Sequence, residues 1–268
     1  MTASPSPTLP AVPSPGSPVA PWRLAWLHLR FQFLETVRIP VAVIGNLVFP
    51  ALALGFFVVP QQTVAQDPFF ATTAVASLSV FAVMSSSLFS HGLGVSEDRQ
   101  LPFDPFVRTL PAGPWPRMVG RIGNGTVMSL LALVPLLVVG WIFTAAAVTV
   151  VQLLGGIGTV LVVGVPFVLL GLAIGYSMPA KAAIAVVQVM VFPLAFAGGL
   201  FLPPMMFPAW LDTVSRFTPS RAGRDLVVEV TTGVPAYGGA WLVLLGWTAV
   251  FAVLAVLAYR RDEGRRFS

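Results

Sequence analysis

Between Ile122 and Ala180 the chain runs for 59 residues without a single Asp, Glu, Lys or Arg. A helix needs about 20 apolar residues to cross the hydrocarbon core of a bilayer, so that interval holds two crossings. Its apolar runs are continuous rather than alternating, which favours helices over barrel strands. The whole chain of 268 residues is 56% hydrophobic and 9% charged, against about 25% charged in an ordinary soluble domain. There is too little polar surface to cover a globule, and the expected fold class is an all-α polytopic membrane protein.

Six transmembrane helices are predicted, at about 39–59, 69–95, 122–145, 150–176, 182–202 and 239–259. Residues 1–21 are rich in Pro, Ser and Ala. They lack the basic start and compact apolar core of a signal peptide and read as a disordered tail. Residues 22–38 place Leu24, Leu27, Phe31, Leu34 and Val37 at helical spacing, with Arg23, His28, Arg30, Glu35 and Arg38 on the polar side and Trp22 and Trp26 as anchors. That pattern predicts an N-terminal interfacial helix, with Pro40 marking the turn inward. One membrane domain then covers 22–262, and a basic cytoplasmic tail, 263–268, follows. The small and polar residues that close the second span, SSSLFSHGLG, point to packing against protein rather than lipid. Gly171 and Gly175 form a GxxxG in the fourth span, the spacing of close helix contact. Asn46, Asn124, Gln152 and Gln188 are expected to make interhelical hydrogen bonds.

Residues 196–228 break the pattern. The apolar run stops at Pro203 and Pro204, and a short amphipathic helix follows from Pro208 to Phe217. Phe207, Trp210, Leu211, Val214 and Phe217 share one face, and Asp212 and Arg216 pair at i,i+4 on the other. Pro219 is expected to end this helix, Ser220 to cap a second one through about Val230, and Gly233 to release it. Two short helices at a membrane surface, able to dip in as a re-entrant hairpin before the last span, are the simplest outcome. With six spans, twelve Lys and Arg fall on the side of both termini and three, Arg216, Arg221 and Arg224, on the other. This asymmetry predicts both termini in the cytoplasm and the hairpin facing outward from the cell inner (plasma) membrane. The net charge of +5 is therefore read as orienting the chain among membrane lipids, and no nucleic-acid partner is expected.

No catalytic constellation is visible. There is no GxxxxGK[ST], the single lysine Lys181 sits in SMPAKAA, and the chain does not bind ATP by a P-loop. Cysteine is absent, and His28 and His91 stand in different segments, so no metal site is expected. The spans carry no carboxylate of the kind that ion-coupled carriers use. If the chain moves something, its energy comes from a cytoplasmic partner. The 22–38 helix and the loop 96–121, which opens on Glu97, Asp98 and Arg99, suit such a partner.

The stretch FAGGLFLPPMMFPAWLDTVSRFTPSRAGRDLV resembles the signature before the last span of ABC type-two exporter permeases. The matching positions are Gly198, Gly199, Phe201, Pro203, Pro208, Trp210, Leu211, Phe217, Pro219, Leu226 and Val227. The loop SEDRQLPFDPFVRTLPAGPWPRMVGRI is similar to that family's charged cytoplasmic segment through Glu97, Arg99, Leu110, Pro111, Gly120 and Arg121. It departs at Pro102 and Phe103, where the family often has Gly-Thr, and at Arg121, which replaces Lys. The resemblance spans about 22–262. It implies a permease that dimerises with a second copy or a homologue and docks a separate ABC ATPase subunit, with ATP and magnesium held there and no cofactor in this chain. Arg30, Glu35, Glu97, Asp98 and Arg99 would then couple the ATPase, and Pro203, Pro208, Trp210, Leu211, Phe217 and Pro219 would form an outer lid. The implied activity is export of an amphipathic, lipid-like or drug-like substrate. A self-sufficient secondary carrier or channel is the alternative.

Overall fold

The computed structural model of the chain describes residues 20–102 and 115–264, without the side chains of 40–43, 46 and 264. The expected tail over 1–21 lies almost wholly outside these residues, as do Leu110, Pro111 and the end of the basic tail. Among the described residues every regular element is helical. The elements are α1 (Pro21–Val37), α2 (Pro40–Phe57), α3 (Gln62–Ala65), α4 (Pro68–Asp98), α5 (Trp115–Phe143), α6 (Val150–Ser177), α7 (Ala180–Ala197), α8 (Ala209–Ser215), α9 (Pro219–Thr232) and α10 (Ala240–Gly264). Five of them, α4, α5, α6, α7 and α10, are long and apolar enough to cross a membrane. The expected first span is α2, 18 residues long, of which Leu47–Phe57 forms an apolar helix in the fully described part.

The helix starts follow local chemistry. Asp67 caps α4 by accepting from the amides of Phe69 at 2.9 Å and Phe70 at 3.0 Å. Thr149 and Gln152 form a capping box at the start of α6. Gln152 therefore serves its own helix rather than bridging to a neighbour. α5 is already helical at Trp115, earlier than the apolar pattern suggests, because hydropathy marks the lipid crossing and not the polar turns that carry Arg117 and Arg121.

α4 is the central helix: its residues from Ala76 to Leu88 are all buried. In lipid, apolar side chains gain nothing by choosing protein over hydrocarbon, so close packing through small residues selects the contacts. A β-carbon on Gly164 of α6 would lie 2.7 Å from Val83 Cγ1 of α4. Near its end α4 relaxes into a π turn, Phe89–Leu93, and α6 meets that turn with Gly171 and Gly175. Their added β-carbons would lie 2.9 Å from His91 Cβ and 2.5 Å from the His91 carbonyl oxygen. The GxxxG is thus an intrachain contact that accommodates the wider π backbone.

α9 is not a surface helix. Its residues from Pro219 to Val228 are buried, and it lies antiparallel to α6, with Gly223 against Val163 and Val230 against Gly155. At about 1.5 Å per residue, the Gly223 contact falls roughly 20 Å along α6 from its start, near the middle of the bundle. The re-entrant arrangement holds because α7 stops short at Ala197. Gly199 turns the chain at φ 72°, and Gly198 lets α7 close on Ser220, whose Oγ donates to the Leu194 carbonyl at 2.6 Å. The cap of α9 is Thr218, which accepts from the Arg221 amide at 3.3 Å, and Pro219 takes the first helical position. The expected roles of Pro219 as a terminator and Ser220 as a cap are corrected accordingly. Gly233 closes α9 at φ 79° as expected.

α1 lies across the start of α5. A β-carbon on Gly120 would stand 2.6 Å from His28 Cβ and 2.9 Å from the Leu29 amide, so only glycine admits this crossing. Asn124 donates to Thr36 Oγ1 at 3.3 Å. Burial, then nearby Arg117 and Arg121, hold the His28 imidazole below its ordinary range. Trp22, Trp26 and Phe31 remain exposed, as an interfacial helix requires. Gly120→Val would overpack a backbone contact at about 1–3 kcal/mol and lift α1. In a chain without native cysteine, a Thr36→Cys/Asn124→Cys pair should cross-link efficiently, and the link should be largely lost in the Gly120→Val background.

Candidate functional site

The basic segments gather at one end of the bundle, where α1, the end of α4, the start of α5 and the end of α10 meet. A cavity of about 830 Å³ opens there between α1, α2, α4, α5 and α7, a size suited to a drug-sized ligand. One end is apolar: Phe49, Phe81, Met128 and Phe192 contribute to the lining. The Phe49 and Phe192 rings, 6.4 Å apart and edge to face, bridge α2 and α7. Its other end is polar, with Gln32, Glu35, Glu97, Asp98, Arg121 and Asn124. Arg121 is ion-paired to Asp98.

Three of the five expected coupling residues therefore meet at this cavity: Glu35, Glu97 and Asp98. Arg30 is exposed on α1 and does not line it. Arg99 turns away and forms a separate node. Its Nε donates to Asp262 of α10 at 3.0 Å, and its Nη1 donates to the carbonyls of Gly175 at 2.7 Å and Met178 at 3.3 Å at the end of α6. A guanidinium there also complements the negative end of the α6 dipole. One side chain thus fastens the ends of α4, α6 and α10 together. Sequence patterning could not pair Arg99 with Asp262 across 163 positions.

The expected lid residues lie at the far side of the bundle. Pro203 precedes a short 3₁₀ turn, Pro204–Met206, and Pro208 caps α8. Trp210 and Phe217 are both 68% exposed, whereas Pro219 is buried and Leu211 half-buried. The carbonyls of Arg216 and Phe217 are held by Tyr237 Oη at 2.6 Å and Trp247 Nε1 at 2.7 Å, which anchors the α8–α9 junction to the last span.

Below that junction, on α9 and outside the predicted spans, is a buried charged cluster. Arg221, Arg224 and Asp225 are each under 10% exposed. Arg221 Nε donates to Asp225 at 2.7 Å and its Nη1 to Asp212 at 3.2 Å. Arg224 Nη1 donates to Asp225 at 2.6 Å, and its Nε to Ser77 Oγ of α4 at 3.1 Å. Paired this way, each buried guanidinium meets a carboxylate, and the Arg224–Ser77 contact pins α9 to α4. The i,i+4 spacing of Arg221 and Asp225 was its only sequence signal.

A model of the ABC-2 type transporter family matches residues 23–231. A relative from Bacillus subtilis (strain 168), carrying the name "Putative transport permease YvfS", is 23% identical over 234 residues, which cover 87% of this chain and 95% of that protein.

Proposed function

The chain belongs to the ABC-2 type transporter family, and from that premise we propose that it is the membrane subunit of an exporter driven by a separate ABC ATPase. In this reading it works as one half of a permease dimer, with both termini in the cytoplasm of a plasma membrane and α8 and α9 toward the outside. The ATPase engages α1, through Arg30, and the segment after Glu97. ATP is bound and hydrolysed in the partner, and an amphipathic substrate enters the cavity beside α1 and leaves past α8.

The observation that carries this reading is the Arg99 node. It stands where the ATPase would push, and it ties three crossing helices by hydrogen bonds to a carboxylate and two helix-terminal carbonyls. Motion of the loop would move α4, α6 and α10 as one body. A tagged full-length chain should therefore co-purify with a P-loop ATPase. Reversal of the node charge, Arg99→Glu, should bring substrate-stimulated ATP hydrolysis down to the basal rate while the ATPase stays bound. Adding Asp262→Arg should restore only part of the coupling, since a carboxylate at position 99 cannot donate to Gly175 and Met178. Undiminished stimulation in Arg99→Glu would remove Arg99 from the coupling path.

A further inference from the structure

We infer that the cavity beside α1 selects amphipathic organic cations, with the charge held at Glu35 and Glu97 and the apolar body against Phe49, Phe81 and Phe192. This deepens the transport reading and rests on it for the claim that the ligand is cargo. The polar end holds three carboxylates and one guanidinium, and that guanidinium is committed to Asp98. Glu35 and Glu97 are exposed and have no ion pair among the described residues. Among the described residues, these two negative charges line the space without a counter-ion.

The amides at this end do not change the sign: the Thr36 hydroxyl donates to the Gln32 carbonyl at 2.8 Å and accepts from Asn124 Nδ2 at 3.3 Å, and both amide side chains are neutral. The apolar lining includes Phe49, Phe81 and Phe192, and aromatic rings also attract cations. An anionic amphiphile would meet repulsion at one end and gain only apolar contact at the other.

The test uses two ions of the same size and shape and opposite charge, tetraphenylphosphonium and tetraphenylborate. The full chain is placed in nanodiscs of phosphatidylcholine and, separately, of phosphatidylglycerol. Binding of radiolabelled tetraphenylphosphonium is measured against empty discs. Saturable binding in both lipids is expected, without competition from tetraphenylborate. Affinity should fall about tenfold or more in Glu35→Gln/Glu97→Gln, since one unit charge near two carboxylates of intermediate screening gains at least that much. Both positions are exposed and the change is isosteric, so the fold should persist, and Glu35→Asp/Glu97→Asp should recover most of the affinity.

Equal binding of both ions, unchanged affinity in the Gln variant, or a signal confined to the phosphatidylglycerol discs would each overturn the inference. ATPase capture is scored on the same preparations. A captured ATPase with no preference for the cation sinks the inference alone. Selective binding with no ATPase captured sinks the transport reading and leaves the cation site standing.

Discussion

Asp225→Ala should be the most damaging single substitution in the chain. It removes the carboxylate that both Arg221 and Arg224 contact, at 2.7 and 2.6 Å. Arg221 retains Asp212 at 3.2 Å, but Arg224 is left with only the Ser77 hydroxyl among its described partners. A guanidinium stranded inside a bundle costs about 3–5 kcal/mol, comparable with the whole stability of many domains. The variant should give a steep loss of folded, monodisperse protein in detergent, measured by fluorescence-detected size exclusion with a thermal ramp. The informative control is Arg221→Met/Arg224→Met/Asp225→Leu. Replacing a complete buried ion group by apolar residues of similar volume is often neutral or stabilising. That triple variant should recover most of the folded fraction. If it is as damaged as the single variant, the charges do more than neutralise one another.

The second large effect is expected at Gly125 of α5. An added β-carbon would lie 2.2 Å from His91 Cε1 and 2.7 Å from its Nε2. The ring has no room to retreat: His91 is fully buried, its Nδ1 is 2.9 Å from the Ser87 carbonyl, and Gly171 backs its Cβ. Gly125→Ala should destabilise by about 1–3 kcal/mol, which for a chain of this size lowers the melting temperature by about 2–4 °C per kcal/mol. His91→Ala alone should also destabilise, by leaving a cavity. The two together should lose less than their sum, because the alanine methyl fills space the imidazole vacates. Additive losses in that cycle would place the strain elsewhere. The pair matters because the π turn around His91 sets the direction in which α4 delivers Glu97 to the cavity and Arg99 to its node.

Both effects arise from close approach, and this explains how much was legible beforehand. The helical class, the crossing at Val150–Ser177, the surface position of Trp22 and Trp26, the pairing of Asp212 with Arg216 and the release of α9 at Gly233 all follow from hydropathy, amphipathic spacing or turn chemistry. Each depends on a few consecutive residues and on the solvent around them. Gly120, Gly198 and Gly199 were legible as positions in a family pattern but not as contacts. The structure supplies their physical reason: two are backbone approaches, to α1 and to Ser220, and one is a left-handed turn.

The candidate site divides in the same way. Glu35, Glu97 and Asp98 were identifiable as charges beside the membrane, but not as one wall of a cavity, because they belong to helices about 60 positions apart. Phe49, Phe81 and Phe192 gave no signal at all. In a chain this apolar, a phenylalanine facing a cavity has the same sequence context as one facing lipid.

By itself the sequence determined that this protein must live in a bilayer as a bundle of helices, since 59 residues without a formal charge leave the backbone no other way to satisfy its hydrogen bonds. Only the tertiary structure decided which faces meet. Lipid and protein interior are equally apolar, so hydrophobicity does not rank the faces of a helix, and the ranking falls to steric fit at glycines and to charge pairing over long sequence distances. That is why α9, the most hydrophilic of the long helical segments by its arginines and aspartate, ends up buried against α4 and α6.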